Sequence, residues 1–338
     1  MRVLLQALRV RELNRLSRRL VVVMRHPALR QCAALLATFI AIATAYPAGQ
    51  QKPLFSFHSN AWLNLHQFVR LTARGVKAEP ENASEQERAQ WVKGVEFYAP
   101  YAKRDVLFDQ GMVDIGTALR RAEGKPNLDG ITIDADLKMT LERLMPIYQK
   151  YWWPAHDRAN REWIAAAQPL VDRHGAAISQ ALARTYGVTW PNQPIPVDVT
   201  VTAGFSGAYT STDPTQVTIS TDEGNRGLRA LEILFHESSH GLGLFPILIQ
   251  PLNQISDAQK VKIPPQLWHA VLFFTAGELT RRELKANGID YTEYAGQQLY
   301  TNLCGAGCRD KIAQHWTPVL DGKGSIADAL SGLVGTFK

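Results

Sequence analysis

The chain predicts an α+β fold that is mostly helical, with one small sheet and a helical C-terminal lobe. Three observations carry this. Residues 54–190, and the stretch after Gly243, repeat apolar side chains at helical spacing. Only two short segments, 197–202 and 216–220, alternate at period two as half-buried strands do. Pro191, Pro194 and Pro196 mark the change from the first character to the second.

The N-terminus reads as a leader. Residues 1–31 carry eight arginines, and Glu12 is their one acid. Residues 32–45 are a short apolar run ending in Ala43-Thr44-Ala45, the small-x-small pattern of a cleavage site. This predicts a signal peptide over 1–45 and an exported protein, periplasmic or extracellular. Met24 opens an n-region of ordinary length and is an alternative start. The run is short of the roughly 20 residues that a span needs, so membrane contact is expected only through an uncleaved leader. A basic amphipathic helix on a membrane surface is the second reading of the arginines.

The leader also holds the charge. The whole chain is +6, but without residues 1–45 it has 29 basic and 30 acidic residues, a net of −1. Net charge therefore makes no case for a nucleic-acid partner, and none is expected. Cys32 lies in the leader, and Cys304 and Cys308 flank Gly305-Ala306-Gly307. In an exported chain they predict a small-loop disulfide; a metal site is the alternative.

After the leader, three regions follow: 46–190, mainly helical; 191–245, the strands and a helix; and 246–338, helical. Ser84 with Glu87 forms a capping-box pattern for a helix running toward Tyr98. Helices are also predicted over 101–122 and 136–151, and from Pro154 to near His174-Gly175. The polar-aromatic clusters 58–66 and 152–160 read by default as packing and capping, with cleft lining as the alternative.

The most informative residues are His236-Glu237-Ser238-Ser239-His240, the pattern H-E-x-x-H. Chance gives this pattern about 0.01 times in a chain of this composition. On a helix, residues four apart share a face one turn apart. His236 and His240 therefore present two imidazoles to one metal, and Glu237 is a base for water bound there. Zinc lowers the pKa of such water toward about 7. The preceding residues read as helix, with Leu231, Leu234, Phe235, Ser238 and Leu242 on one stripe and Gly241 and Gly243 at its end.

A catalytic zinc takes three protein ligands and keeps one open position. The extension H-x-x-G-x-x-H fails, because Pro246 stands at its last position and all five methionines precede the motif. The helix predicted over 264–284, closed by Asn287-Gly288, offers Glu278, which follows Gly277; the small residue lets this helix approach the motif helix. Glu283 and His269 are the alternatives, pointing roughly 140° and 180° away from Glu278. Pairing with Arg282 is the ordinary reading of Glu278. Glu232, one turn before His236, is a candidate to hydrogen-bond a ligand histidine; a salt bridge to Arg229 is its ordinary role.

With these residues the chain resembles the zincin metallopeptidases, most like the gluzincin, thermolysin-like branch. The resemblance implies a zincin-like core and one zinc per chain on His236, His240 and a downstream glutamate, here Glu278. Glu237 is then the general base in hydrolysis of a peptide or protein substrate. It also implies that residues 216–220 form an edge strand pairing with extended substrate; an ordinary hairpin is the alternative. It further implies an oxyanion donor from the C-terminal lobe. Tyr291, Tyr294, Tyr300, His269 and His315 are available, and His315 is favoured. A zinc hydrolase of a non-peptide bond and an inactive exported metal-binding or structural protein are the competing functions.

Overall fold

The computed structural model describes residues 52–106, 109–204 and 207–338, so the leader reading lies outside them. Among the described residues, no helix is long and apolar enough to cross a membrane. The fold is α+β, mostly helical, around one four-stranded mixed sheet.

β1 (Phe55–His58) leads into α1 (Ala61–Ala73). The Asn60 side chain caps α1 by accepting from the N–H groups of Trp62 and Leu63. The Ser84–Glu87 box forms at α2 (Glu85–Phe97), each side chain accepting the other's backbone N–H. The helix expected over 101–122 breaks into α3 (Ala99–Ala102) and α4 (Gln110–Arg120), the latter capped by Asp109. α5 (Ala135–Tyr151) follows. α6 (Trp153–Tyr186) does not stop at Gly175 but runs on to Gly187, which takes a left-handed conformation. Gly175 serves close packing instead: a Cβ there would lie 2.8 Å from Leu54 Cδ1.

β2 (Ile195–Thr200), β3 (Ala208–Thr212) and β4 (Thr215–Ser220) complete the sheet, in the order β1-β2-β4-β3. β1, β2 and β4 are parallel, and β3 returns antiparallel to β4. α7 (Leu228–His240) carries the H-E-x-x-H motif. A π turn over Phe245–Ile249 leads to α8 (Gln250–Gln259), α9 (Leu267–Ala286), α10 (Gln297–Cys304), α11 (Cys308–Leu320) and α12 (Ile326–Gly335). A disulfide joins Cys304 to Cys308 across the α10–α11 turn.

The two faces of the sheet differ. One face presents Phe55, Ile195, Val197, Val199, Val217 and Ile219 to α6 and α7, and joins the larger core, which includes α9 and α11. The other presents Asp198, Thr200, Gln216 and Thr218, all buried, toward α1 and α4. Here Asn64 donates to the Val199 carbonyl and Gln67 to the Tyr209 hydroxyl, while Arg120 pairs with Asp198. Beyond this polar layer α1, α2, α4 and α5 close a second core around Trp91, Tyr98 and Tyr148. Residues 53–338 form one compact unit.

Both clusters singled out in the N-terminal region are built into this packing. His66 meets the Tyr98 hydroxyl at 3.0 Å, and His156 meets that of Tyr148 at 2.9 Å. Trp152 lies on Trp91 with ring centroids 4.3 Å apart.

Candidate metal centre

α7 is amphipathic in a particular way. Leu231, Leu234 and Phe235 enter the larger core. Glu232, His236 and His240, each four residues from the last, form the stripe that faces α9. Glu232 lies over Gly277. His236 stacks on Phe273, with centroids 3.7 Å apart and planes at 20°. His240 meets His269 edge-on at 5.1 Å. Each four-residue step up α7 is thus a four-residue step down α9, and the helices run antiparallel in close register. Glycine eases the approach here: a Cβ at 277 would lie 3.0 Å from Glu232 Oε1 and 3.1 Å from Glu293 Cγ, tighter than ordinary contact.

This register brings three histidines together. The rings of His236, His240 and His269 form a near-equilateral triangle with centroid separations of 5.1, 5.2 and 5.1 Å. One nitrogen from each lies within 4.8 Å of the others, so the group is able to hold a metal ion. Nε2 of His236 and Nε2 of His269 are 3.2 Å apart. Two nitrogens held by one tetrahedral zinc, at about 2.0–2.1 Å each, stand about 3.3–3.4 Å apart. The His236–His269 pair stands close to that spacing, and three imidazoles with a fourth position open are a donor set that catalytic zinc uses.

Electrostatics favour the same use. Burial lowers the basicity of all three imidazoles, and the rings oppose one another's protonation. His240 falls to about 3 and His269 to about 4, while His236 falls well below its ordinary value. The rings are neutral at physiological pH and keep lone pairs for a cation. Aromatic side chains wall the group: Phe273 under His236, and Trp268 stacked on His269 at 5.0 Å. Only His240 and His269 reach partly to the surface.

Glu237 follows His236 directly and is 7 % exposed. Thr210 Oγ1, on β3, lies 2.7 Å from its carboxylate and 2.9 Å from its backbone carbonyl. Burial pushes the Glu237 carboxyl up to about 7, against the Thr210 hydrogen bond.

Several expectations are corrected. Glu278 does not join His236 and His240. It lies one residue beyond the 269–273–277 stripe, which turns it about 100° away from α7. There Arg281 grips it with two bonds of 2.8 Å, and Arg282 with one of 2.6 Å. Burial raises the Glu278 carboxyl, but the arginines outweigh it and hold the group below its ordinary value. Glu283, the other acidic alternative, bonds His174 at 3.1 Å. The favoured oxyanion donor, His315, packs its ring against Gly332 of α12, and it is its neighbour Trp316 that faces α9, donating to Thr275. The strand over 216–220 is not an edge: β4 has β2 on one side and β3 on the other. Beside α7 the edge is β3.

Tyr294 is the tyrosine nearest in role to the expected donor. Its ring lies parallel to Phe273, at 5° and 6.4 Å. Burial raises its phenol pKa, and the Glu237 carboxylate adds to that rise. The sequence did hold a signal for His269. It begins a stripe of i, i+4, i+8 positions ending at Gly277, the residue that marks the close approach.

No family model matches the chain, and no curated protein or solved structure is similar to it.

Proposed function

We propose that this chain is an exported zinc hydrolase of the metallopeptidase type. The observation that carries the reading is the convergence of His236, His240 and His269 on one point, with Glu237 adjacent and tied to an edge strand. His236, His240 and His269 would hold the zinc, and Glu278 is left to its arginines. Bound there, zinc supplies Lewis acidity that activates water and polarises a carbonyl.

The remaining roles belong to the chain. Glu237 accepts a proton and returns it to the leaving amine, the general acid–base role open to a carboxylate next to the metal ligands. Thr210 holds that carboxylate in place. β3 has β4 on one side only and lies beside Glu237, but Ala208, Tyr209, Thr210 and Ser211 are buried, so an extended peptide would pair there only with that edge uncovered. Tyr294 offers a phenolic O–H to charge developing on the substrate oxygen. Export rests on the leader sequence and agrees with the Cys304–Cys308 disulfide, a bond of oxidising compartments.

A second reading, metal binding without hydrolysis, draws on the burial of His236 at 1 % and Glu237 at 7 %. Glu237→Gln separates the two. Under the hydrolase reading the variant keeps its metal and loses about 10²-fold or more of the parent's turnover on a peptide library. Equal turnover in parent and variant contradicts the proposed role of Glu237. A metal-loaded parent that hydrolyses nothing favours the second reading.

A further inference from the structure

Two buried polar atoms on the inner stripe of α7 make no hydrogen bond: Nδ1 of His236 and Oε1 of Glu232. They belong to residues four apart, so they lie one turn apart on the same face. A helical side chain leans toward the N-terminal turn, and the turn before His236 is the one that carries Glu232. The other atoms of both residues are committed. His236 Nε2 faces His269 Nε2 at 3.2 Å. Glu232 Oε2 accepts from the Tyr291 hydroxyl at 2.7 Å and from the Tyr294 backbone N–H at 2.9 Å. Glu232 is therefore not spent on Arg229, its ordinary alternative; it holds the segment after α9 against the motif helix.

We infer that Glu232 is the positioning residue of the metal centre, with one oxygen for each of two tasks. On metal binding Oε1 would take the Nδ1–H of His236, the two atoms being unpaired and not bonded to each other in this structure, and so fix that ring in the tautomer whose Nε2 lone pair points at His269. Oε2 holds residues 291–294, and with them the Tyr294 ring on Phe273, which itself stacks on His236. One carboxylate thus links a metal ligand to the strap that carries the phenol. The close approach at Gly277 belongs to the same device, because it leaves room for the Glu232 carboxyl between the helices. The inference rests on the reading of His236, His240 and His269 as ligands of one metal.

The test uses the full chain, its Glu232→Gln and Glu232→Ala variants, and Co(II) and Zn(II) as the probe metals. Affinity is read by competition with a chromophoric chelator. The Co(II)-loaded proteins are then examined by NMR for the exchangeable Nδ1–H protons of the bound imidazoles. Removal of the carboxylate is expected to weaken binding by roughly 10–100-fold, and Gln, which keeps an acceptor without the charge, by less. One Nδ1–H signal of the parent resists exchange with water and becomes labile in Glu232→Ala. A general loss of packing would not single out one imidazole proton. If the alanine variant does not fold, the near-isosteric glutamine variant decides. Parent-like affinity and an unchanged proton signal in a folded Glu232→Ala protein, or parent-like affinity in Glu232→Gln where the alanine variant does not fold, overturn the inference alone. A parent that takes up neither metal overturns the metal-site reading and this inference with it.

Discussion

Two groups of buried or part-buried histidines in this molecule are treated in opposite ways. In the N-terminal helices, His66 and His156 are each given a tyrosine hydroxyl, at 3.0 and 2.9 Å. Between α7 and α9, His236, His240 and His269 are given one another, with nitrogen facing nitrogen and aromatic rings as walls. Burial lowers the basicity of both sets: His66 to about 3 and His156 to about 4, as for the triad. Neither burial nor basicity distinguishes a packing histidine from a candidate ligand. The partners of the ring nitrogens do. A histidine whose nitrogen meets a hydroxyl has a hydrogen bond inside the fold; three whose nitrogens meet each other form a group able to hold a cation.

The comparison is broken most directly at His236. His236→Ala is expected to lower Zn(II) affinity by more than about 100-fold, beyond the loss typical of an outer hydrogen-bonding partner, in a chelator competition assay. His66→Ala is expected to leave that affinity unchanged. It destabilises the fold by about 1–3 kcal/mol, because it opens the second core and strands the Tyr98 hydroxyl, and urea denaturation reads the difference. Metal affinity lost in the His66 variant would erase the distinction between the two sets.

A pH series sharpens it. The folded chain keeps His66 and His156 neutral until about pH 3 and 4, whereas the unfolded chain protonates them below about 6.5. The unfolded state therefore binds more protons between about pH 6.5 and 4, and stability falls as pH drops through that window. Asp198, raised to about 6 chiefly by burial, acts in the opposite sense between about pH 4 and 6 and offsets part of the loss. His66→Gln is expected to flatten the acid limb in metal-free protein. An unchanged slope would remove His66 from the account. The smallest effect is reserved for Glu278→Gln. Its arginines are about one-third exposed, so losing the charge costs about 0.2–1 kcal/mol by urea denaturation.

What the sequence made legible follows the range of the interactions involved. The capping box at Ser84 and the motif helix are local, and both appear where periodicity and caps put them. β2 and β4 were visible because each alternates against the larger core. β1 and β3 were not, because β1 is four residues long and β3 mixes Thr and Ser with Ala and Tyr. Gly175 read as a stop because sequence does not reveal Leu54 resting on it. At the site, two candidate ligands and the candidate base lie within five residues and were readable as a unit. The third lies on another helix, and its choice depends on the rotation of α9. Gly277 correctly marked the close approach, but it marks the face it lies on, shared with Phe273 and His269. Its neighbour Glu278 belongs to a different face.

The rotation of α9 is the central claim, and metal content tests it. The full chain, His269→Ala and Glu278→Ala are purified in parallel, exposed to Zn(II), desalted and measured for bound zinc. The account predicts about one zinc per chain in the parent and in Glu278→Ala, and little in His269→Ala. Zinc retained in His269→Ala, or lost from a folded Glu278→Ala, would contradict it.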